Sequence, residues 1–124
     1  MTFFLTIPLV PPSLNPWQRM SWHDQLPIRN EWYKAVWALC KEQGLPMLER
    51  IDLDISVYYR DRRRRDWDNG AVGFKLVQDG LVHAGVLPDD NVKHIVRPRF
   101  PDILHDKAAP RTEVVVTVLE SLSA

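Results

Sequence analysis

The chain divides on its hydrophobic rhythm before any motif is considered. Residues 2–10, Thr-Phe-Phe-Leu-Thr-Ile-Pro-Leu-Val, read as a strand closed by Pro11-Pro12-Ser13. From there to about Pro27 the sequence is rich in Pro, Asn, Ser and Trp without a clear period, which predicts an ordered loop. At Asn30 the period turns helical. Trp32, Ala35, Val36, Leu39 and Cys40 share one stripe, Asn30 is placed to cap the start, and Gly44 with Pro46 closes the end. Residues 48–60 alternate instead: Ile51, Leu53, Ile55, Val57 and Tyr59 face one side, and Asp52, Asp54, Ser56, Tyr58 and Arg60 the other. That is a half-buried strand. A second helix is predicted from Asn69 or Gly70 to Ala84, with Phe74, Val77, Leu81 and Ala84 on its apolar face and Gly85 as its C′ residue. Strands near 92–100 and 112–120, separated by a Pro-containing loop, complete the order β-α-β-α-β-β. The expectation is one α+β domain over residues 1–124, in two layers, with two helices on one face of a small mixed sheet.

Length and composition agree with that expectation. A chain of 124 residues fits one domain with a substantial core, and 45% hydrophobic with 26% charged residues is ordinary globular composition. Sixteen basic residues balance sixteen acidic ones, so net charge argues for no particular partner. Distribution says more. Arg60 and Arg62–Arg65 form one basic cluster, and Lys93, Arg97 and Arg99 a second, whose shared parity on the predicted strand would line one face with cations. The single cysteine, Cys40, excludes an intramolecular disulfide and a thiolate metal cluster; among Ala35, Val36 and Leu39 it reads as a buried small hydrophobe. The N-terminal residues lack a charged n-region and a cleavage signature, and no apolar run is long enough to span a bilayer. A soluble, reducing, cytoplasmic setting is the expectation.

The chemistry concentrates in Arg62-Arg63-Arg64-Arg65-Asp66-Trp67-Asp68-Asn69, followed after the second predicted helix by Asp89-Asp90. Arginines attract phosphate, whereas clustered carboxylates repel it unless a cation lies between them. Asp66 and Asp68 are two apart, so on extended backbone they face the same side at ~6.6 Å spacing and can converge on a hard cation such as Mg²⁺. A bare DxD is a weak motif, as Asp52-x-Asp54 on the polar face of the alternating strand illustrates; that pair reads as a solvated surface pair. Asp66 and Asp68 differ by their place between a strand and a helix, beside the arginines. They share a metal with Asp89-Asp90 only if the chain brings the two clusters together. Lys75, four residues before Asp79, is open to two readings: a surface i, i+4 pair, or a cation offsetting charge on a reacting phosphate. The arginine run is either a solvated basic loop or a backbone-phosphate contact surface. His23, His83, His94 and His105 are scattered without zinc-site spacing, Ser13 and Ser21 lack triad partners, and no nucleotide-binding glycine motif is present. Most of the five tryptophans suit core or dimer contacts; Trp67, between two acids and beside arginines, is the one placed to stack on a base.

In these blocks the sequence resembles the RusA family of Holliday-junction resolvases. The resemblance is carried by Asp61 through Asn69, by Lys75-x-x-x-Asp79-x-Leu81, by Ala84-Gly85-Val86-Leu87-Pro88-Asp89-Asp90, and by Ile7-Pro8-Leu9-Val10-Pro11-Pro12-Ser13-Leu14-Asn15, which is similar to the family's opening strand and turn. It reaches from the first strand to Asp90. It implies a homodimeric, Mg²⁺-dependent endonuclease, with Mn²⁺ as a substitute ion and no organic cofactor, that cuts symmetrically related strands of a four-way DNA junction in recombination and repair. Such a protein would work in the cytoplasm of a bacterial or phage-infected cell, with branched DNA rather than membrane as its partner. Asp66, Asp68 and Asp90 match the family's metal-binding acids, Asp89 is the less secure member of its pair, and Lys75 matches the active-site lysine. Arg62–Arg65, Lys93, Arg97 and Arg99 would then contact DNA. One departure is the segment Gly70–Phe74, which lengthens the path from Asn69 to Lys75 relative to the family pattern. Two other readings stand beside this one: a non-catalytic binder of branched or single-stranded DNA, and a metal-dependent nuclease of broader branched-DNA specificity.

Overall fold

The computed structural model describes residues 1–91 and 93–119. The predicted strand start at residue 92 and the strand end at residue 120 lie outside the described residues. Strand β1 (Thr2–Ile7) leads through helices α1 (Leu14–Arg19) and α2 (Trp22–Gln43) to strand β2 (Ile51–Tyr59). A 3₁₀ turn (Trp67–Gly70) runs into helix α3 (Ala71–His83), and strands β3 (Asp102–His105) and β4 (Arg111–Val118) follow. The four strands form one mixed sheet in the order β1-β4-β2-β3, antiparallel except for the parallel β2–β3 pair. The result is a small α+β domain with three α-helices rather than the two expected.

Alternation along the strands aligns row by row across the sheet. Leu5, Val114 and Ile55 face one another in register, and beside them lie Ile7, Thr112 and Val57. All six are buried, and the five apolar ones join Val36, Leu76, Val77 and Leu81 of the helices in a single core. Thr112 is the polar member of this layer, and its hydroxyl donates to the Leu9 carbonyl at 2.8 Å, so burial leaves it satisfied. On α3 the buried stripe is Val72, Leu76, Val77 and Leu81, rotated from the predicted one; Phe74 and Ala84 are only partly covered.

Three boundaries differ from the sequence reading, each for a local reason. The stretch read as a loop forms α1 and the first turns of α2, which begins at Trp22 rather than after Asn30. Ser21 is the cap: its Oγ accepts the Asp24 N–H at 3.1 Å. Pro27 lies inside the helix, and its missing N–H costs only the bond to the exposed His23 carbonyl. Among the described residues, the strand expected at 92–100 does not form. Only Ile95 bridges to Ile51, because Arg97 adopts φ 52° and Pro98 and Pro101 cannot donate. The common face predicted for Lys93, Arg97 and Arg99 therefore does not form. β1 ends at Ile7, since Pro8 cannot continue the ladder. Other predicted ends hold: Gly44 and Gly85 take φ values of 68° and 78° after their helices. Among the described residues no helix is long and apolar enough to cross a membrane.

Helices α2 and α3 meet at Gly80, where a Cβ would lie 2.9 Å from Val36 Cγ2 and 3.1 Å from its Cβ. Val36 is fully buried and has nowhere to go. Gly80→Ala is therefore expected to destabilise the fold by about 1–3 kcal/mol despite alanine's better helix propensity. Urea denaturation checks this, and an unchanged or raised midpoint would refute it. Burial also pushes the Cys40 thiol up from 9.0 to about 11. The unfolded chain then ionises first, so stability should decline as pH rises from 9 toward 11. At pH 8 the native thiol should resist a disulfide reagent that modifies it at once in denaturant. Rapid labelling of the folded protein would contradict that burial.

Candidate active site

The arginine run leaves the end of β2 and turns back on itself. Asp61 closes the turn: its carboxylate accepts the Arg63 N–H at 3.1 Å and Arg65 Nη2 at 3.0 Å. The Arg63 backbone bond, followed by the Arg65 side-chain bond, holds the Asp61 carboxyl below the usual carboxylate range. Arg65 lies over the Tyr59 ring at 3.8 Å with its side chain only 10% exposed. Arg65 is thus a packing residue. Arg62, Arg63 and Arg64 are exposed, and Arg63 also pairs with Asp61 at 3.5 Å.

Immediately after the run, the 3₁₀ turn carries Trp67, Asp68 and Asn69, with Asp66 as its cap. The turn is closed by Asn69 N–H donating to the Asp66 carbonyl at 3.0 Å. Asn69 Oδ1 accepts the Leu14 N–H at 3.3 Å, and a Cβ at Gly73 would come within 3.2 Å of Pro11 Cγ. The Pro11–Leu14 turn is therefore seated against the turn that bears the two acids. The segment Gly70–Phe74 supplies the end of this 3₁₀ turn and the first turn of α3.

One helical turn further, Lys75 projects from α3. Its Nζ lies 3.2 Å from Asp79 Oδ1 and 3.8 Å from Asp90 Oδ2. Lys75 makes the i, i+4 pair, and it also faces an acid from the following loop. Gln78, on the same flank, donates to the Asp90 carbonyl at 3.2 Å and fixes that loop against α3. The two members of the acidic pair diverge. Asp89 accepts the Asn91 N–H at 2.7 Å and faces His94 Nε2 at 3.4 Å, while His94 Nδ1 donates to the Glu49 carbonyl at 2.7 Å. Asp90 is the member directed to Lys75. A cleft of about 390 Å³ opens here, lined by Tyr33, Asp79, Val82, His83, Asp89 and Asp90.

Asp79 has a second partner. Arg29 of α2 reaches it at 3.4 Å and lies between the Trp17 and Trp22 rings, 5.0 Å from each centroid. Both side chains of this interhelical pair are largely covered, at 13% and 16% exposure. The sequence reading missed Arg29, which falls between the stretch ending near Pro27 and the helix predicted from Asn30; the Ser21-x-x-Asp24 spacing was the available signal for helix there.

The second basic group is dispersed. Arg99 makes a two-pronged contact with Asp52, at 2.9 and 3.1 Å, and approaches Asp54 at 4.0 Å. The Arg99 hydrogen bonds hold the Asp52 carboxyl below its ordinary range. The Asp52-x-Asp54 pair is accordingly half an ion pair and half solvated. Lys93 and Arg97 are exposed.

Asp66, Asp68 and Asp90 are oxygen donors suited to a hard cation. Among the described residues no three His, Cys, Asp or Glu side chains are gathered as a metal cage. Mg²⁺ is commonly held by one or two carboxylates with water and phosphate completing its shell, so the donor chemistry fits it. Neither models of known protein families nor curated proteins give a match to the chain.

The arrangement around Asp61 has a direct consequence for proteolysis. Limited trypsin digestion should cut after Arg62, Arg63 or Arg64 well before Arg65, whose side chain is covered, and Asp61→Ala should abolish that order. Mass mapping of the first fragments decides the matter; a first cut after Arg65 in the unaltered protein would exclude the packing role.

Proposed function

We propose that this chain is a Mg²⁺-dependent endodeoxyribonuclease of the RusA type, acting as a homodimer on four-way junctions in DNA recombination and repair. The observation that carries the reading is the reach of Lys75 to Asp90. The helix that starts at the Asp66–Asn69 turn presents a lysine to the acid of a distant block, and the Pro11–Leu14 turn is seated against the same turn. Blocks that resemble the family at separate points of the sequence are thus neighbours in the fold.

On this reading one or two of Asp66, Asp68 and Asp90 would hold the ion, with water and phosphate completing its shell, since no three such side chains are gathered among the described residues. When bound, a divalent cation supplies Lewis acidity to the phosphate and to the attacking water. Lys75 contributes a positive charge beside Asp90 to offset the charge gathering on the phosphate oxygens. Exposed Arg62, Arg63 and Arg64 draw in the DNA backbone without reading bases. A two-fold dimer suits a substrate with approximate two-fold symmetry.

The test incubates an end-labelled four-way junction with the protein and Mg²⁺ or Mn²⁺, beside Asp68→Asn. The expected result is nicking near the branch, reduced roughly 100-fold or more in the variant, since even residues that merely support metal ligands cost 10–100-fold. Binding by the variant should persist or tighten as a carboxylate is lost near phosphate. Equal cleavage by both proteins would refute the reading. Binding without cleavage by the unaltered protein in either metal would favour a non-catalytic branched-DNA binder. Equal rates on junction, flap and linear duplex would favour a nuclease of broader specificity.

A further inference from the structure

Two large aromatic rings stand exposed beside the acidic turn. Trp67, between Asp66 and Asp68, is 71% exposed, and Phe100, just before β3, is 45% exposed. They touch edge to face, with centroids 4.8 Å apart and planes at 79°. Exposed aromatic surface of this size marks a binding surface more often than a lone apolar residue does.

The pair is built rather than incidental. Gly70 ends the turn that carries Trp67, and Pro101 is seated on it so closely that a Cβ there would meet Pro101 Cδ at 3.0 Å and its carbonyl oxygen at 3.1 Å. That contact fixes the segment carrying Phe100 against the turn carrying Trp67. A recess of about 210 Å³ opens beside Phe100, lined also by Ala71, Phe74, Pro98 and Arg99. Phe100 also borders a second recess of about 380 Å³, together with Arg65, Trp67, Pro101 and Asp102.

We propose that Trp67 and Phe100 form a stacking platform for an unpaired nucleobase of DNA. The inference rests on the nuclease reading above and adds what would let the site choose its substrate. Charge favours a polyanion as the occupant: exposed Arg62, Arg63 and Arg64 precede Trp67 by only a few residues and would draw a phosphate backbone to this part of the chain. Aromatic rings take any base, because every base has a π-face. In linear duplex those faces are already stacked on neighbours. At a branch or in a single strand a face becomes available, so the platform favours branched over linear DNA without reading sequence.

The experiment measures binding without divalent metal, so that cleavage does not intervene. The probes are a four-way junction carrying 2-aminopurine at the branch, a single strand, and a linear duplex. Trp67→Ala and Phe100→Ala are each expected to weaken junction and single-strand binding about tenfold, within the range of one base–aromatic stack. Duplex affinity should stay within about twofold. Trp67→Phe should retain most of the affinity and the fluorescence change of the base. Phe100 lies on a separate segment from the acids, so its variant separates stacking from damage to the acidic turn, and thermal melts confirm that each variant folds. Unchanged affinity, or equal loss on duplex and branched DNA, overturns the platform. A shift from dimer to monomer in sedimentation, with the 2-aminopurine signal unaltered, assigns the patch to contact between copies instead and also overturns it. The two proposals fail separately: base stacking without cleavage in Mg²⁺ or Mn²⁺ removes the nuclease and keeps the platform, whereas normal cleavage with unaltered variant binding does the reverse.

Discussion

Helix α3 approaches Val36 at Gly80 too closely for a side chain to fit, and comes tightly against Pro11 at Gly73, with Gly70 just before it against Pro101. Those contacts set the height of the helix over the sheet and its distance from α2. The groups of greatest chemical interest are attached to this one element or its lead-in turn: Asp66, Asp68, Asn69, Lys75, Gln78 and Asp79. A methyl group's displacement at Gly80 would move Lys75 and Asp79 relative to Arg29 and Asp90. Close packing transmits such shifts because the interior has little free volume to absorb them. The glycines in this helix therefore trade local helix propensity for position.

Charge has two separate uses in this domain. Arg65, Arg29 and Arg99 are held by carboxylates, two of them also over aromatic rings, and serve as struts between segments. Arg62, Arg63 and Arg64 face solvent. The sequence displays these arginines identically, yet their energetics differ. A guanidinium over a ring and against a carboxylate is fixed in one geometry and shielded from salt, whereas an exposed one is screened within about 8–10 Å at ordinary ionic strength. Only the exposed group is available to a polyanion.

Much of the architecture was legible because strand alternation and glycine helix ends are local signals. Ile51 to Tyr59 alternate by burial as they do by polarity, and Gly44 and Gly85 take the left-handed conformation their positions suggested. What was not legible depended on tertiary context. Pro16 and Pro27 disguised helix as loop, because a proline's lost hydrogen bond is cheap near a helix start or on an exposed face, and sequence does not display exposure. The mirror error occurred at 92–100, where apolar and basic alternation suggested a strand but Arg97 turns through a positive φ. At the candidate site, the acids and Lys75 were legible as types. Their grouping was not: that Asp90 rather than Asp89 faces Lys75 follows from the Gln78 hydrogen bond and the turn at Asn91, both set by how the loop lies on α3.

The position of β4 has a further meaning for how the molecule comes into being. It lies between β1 and β2, yet it is the last described strand along the chain. As the polypeptide leaves the ribosome, β1 and β2 emerge with no partner lying between them. The edges of both that will face β4 wait unpaired until residues 111–118 arrive. Such late, long-range closure slows folding and prolongs the exposure of unpaired edges. The packed pair of helices α2 and α3 can form earlier from contacts nearer in sequence. During synthesis it would be the cover that shields the unfinished sheet from other chains.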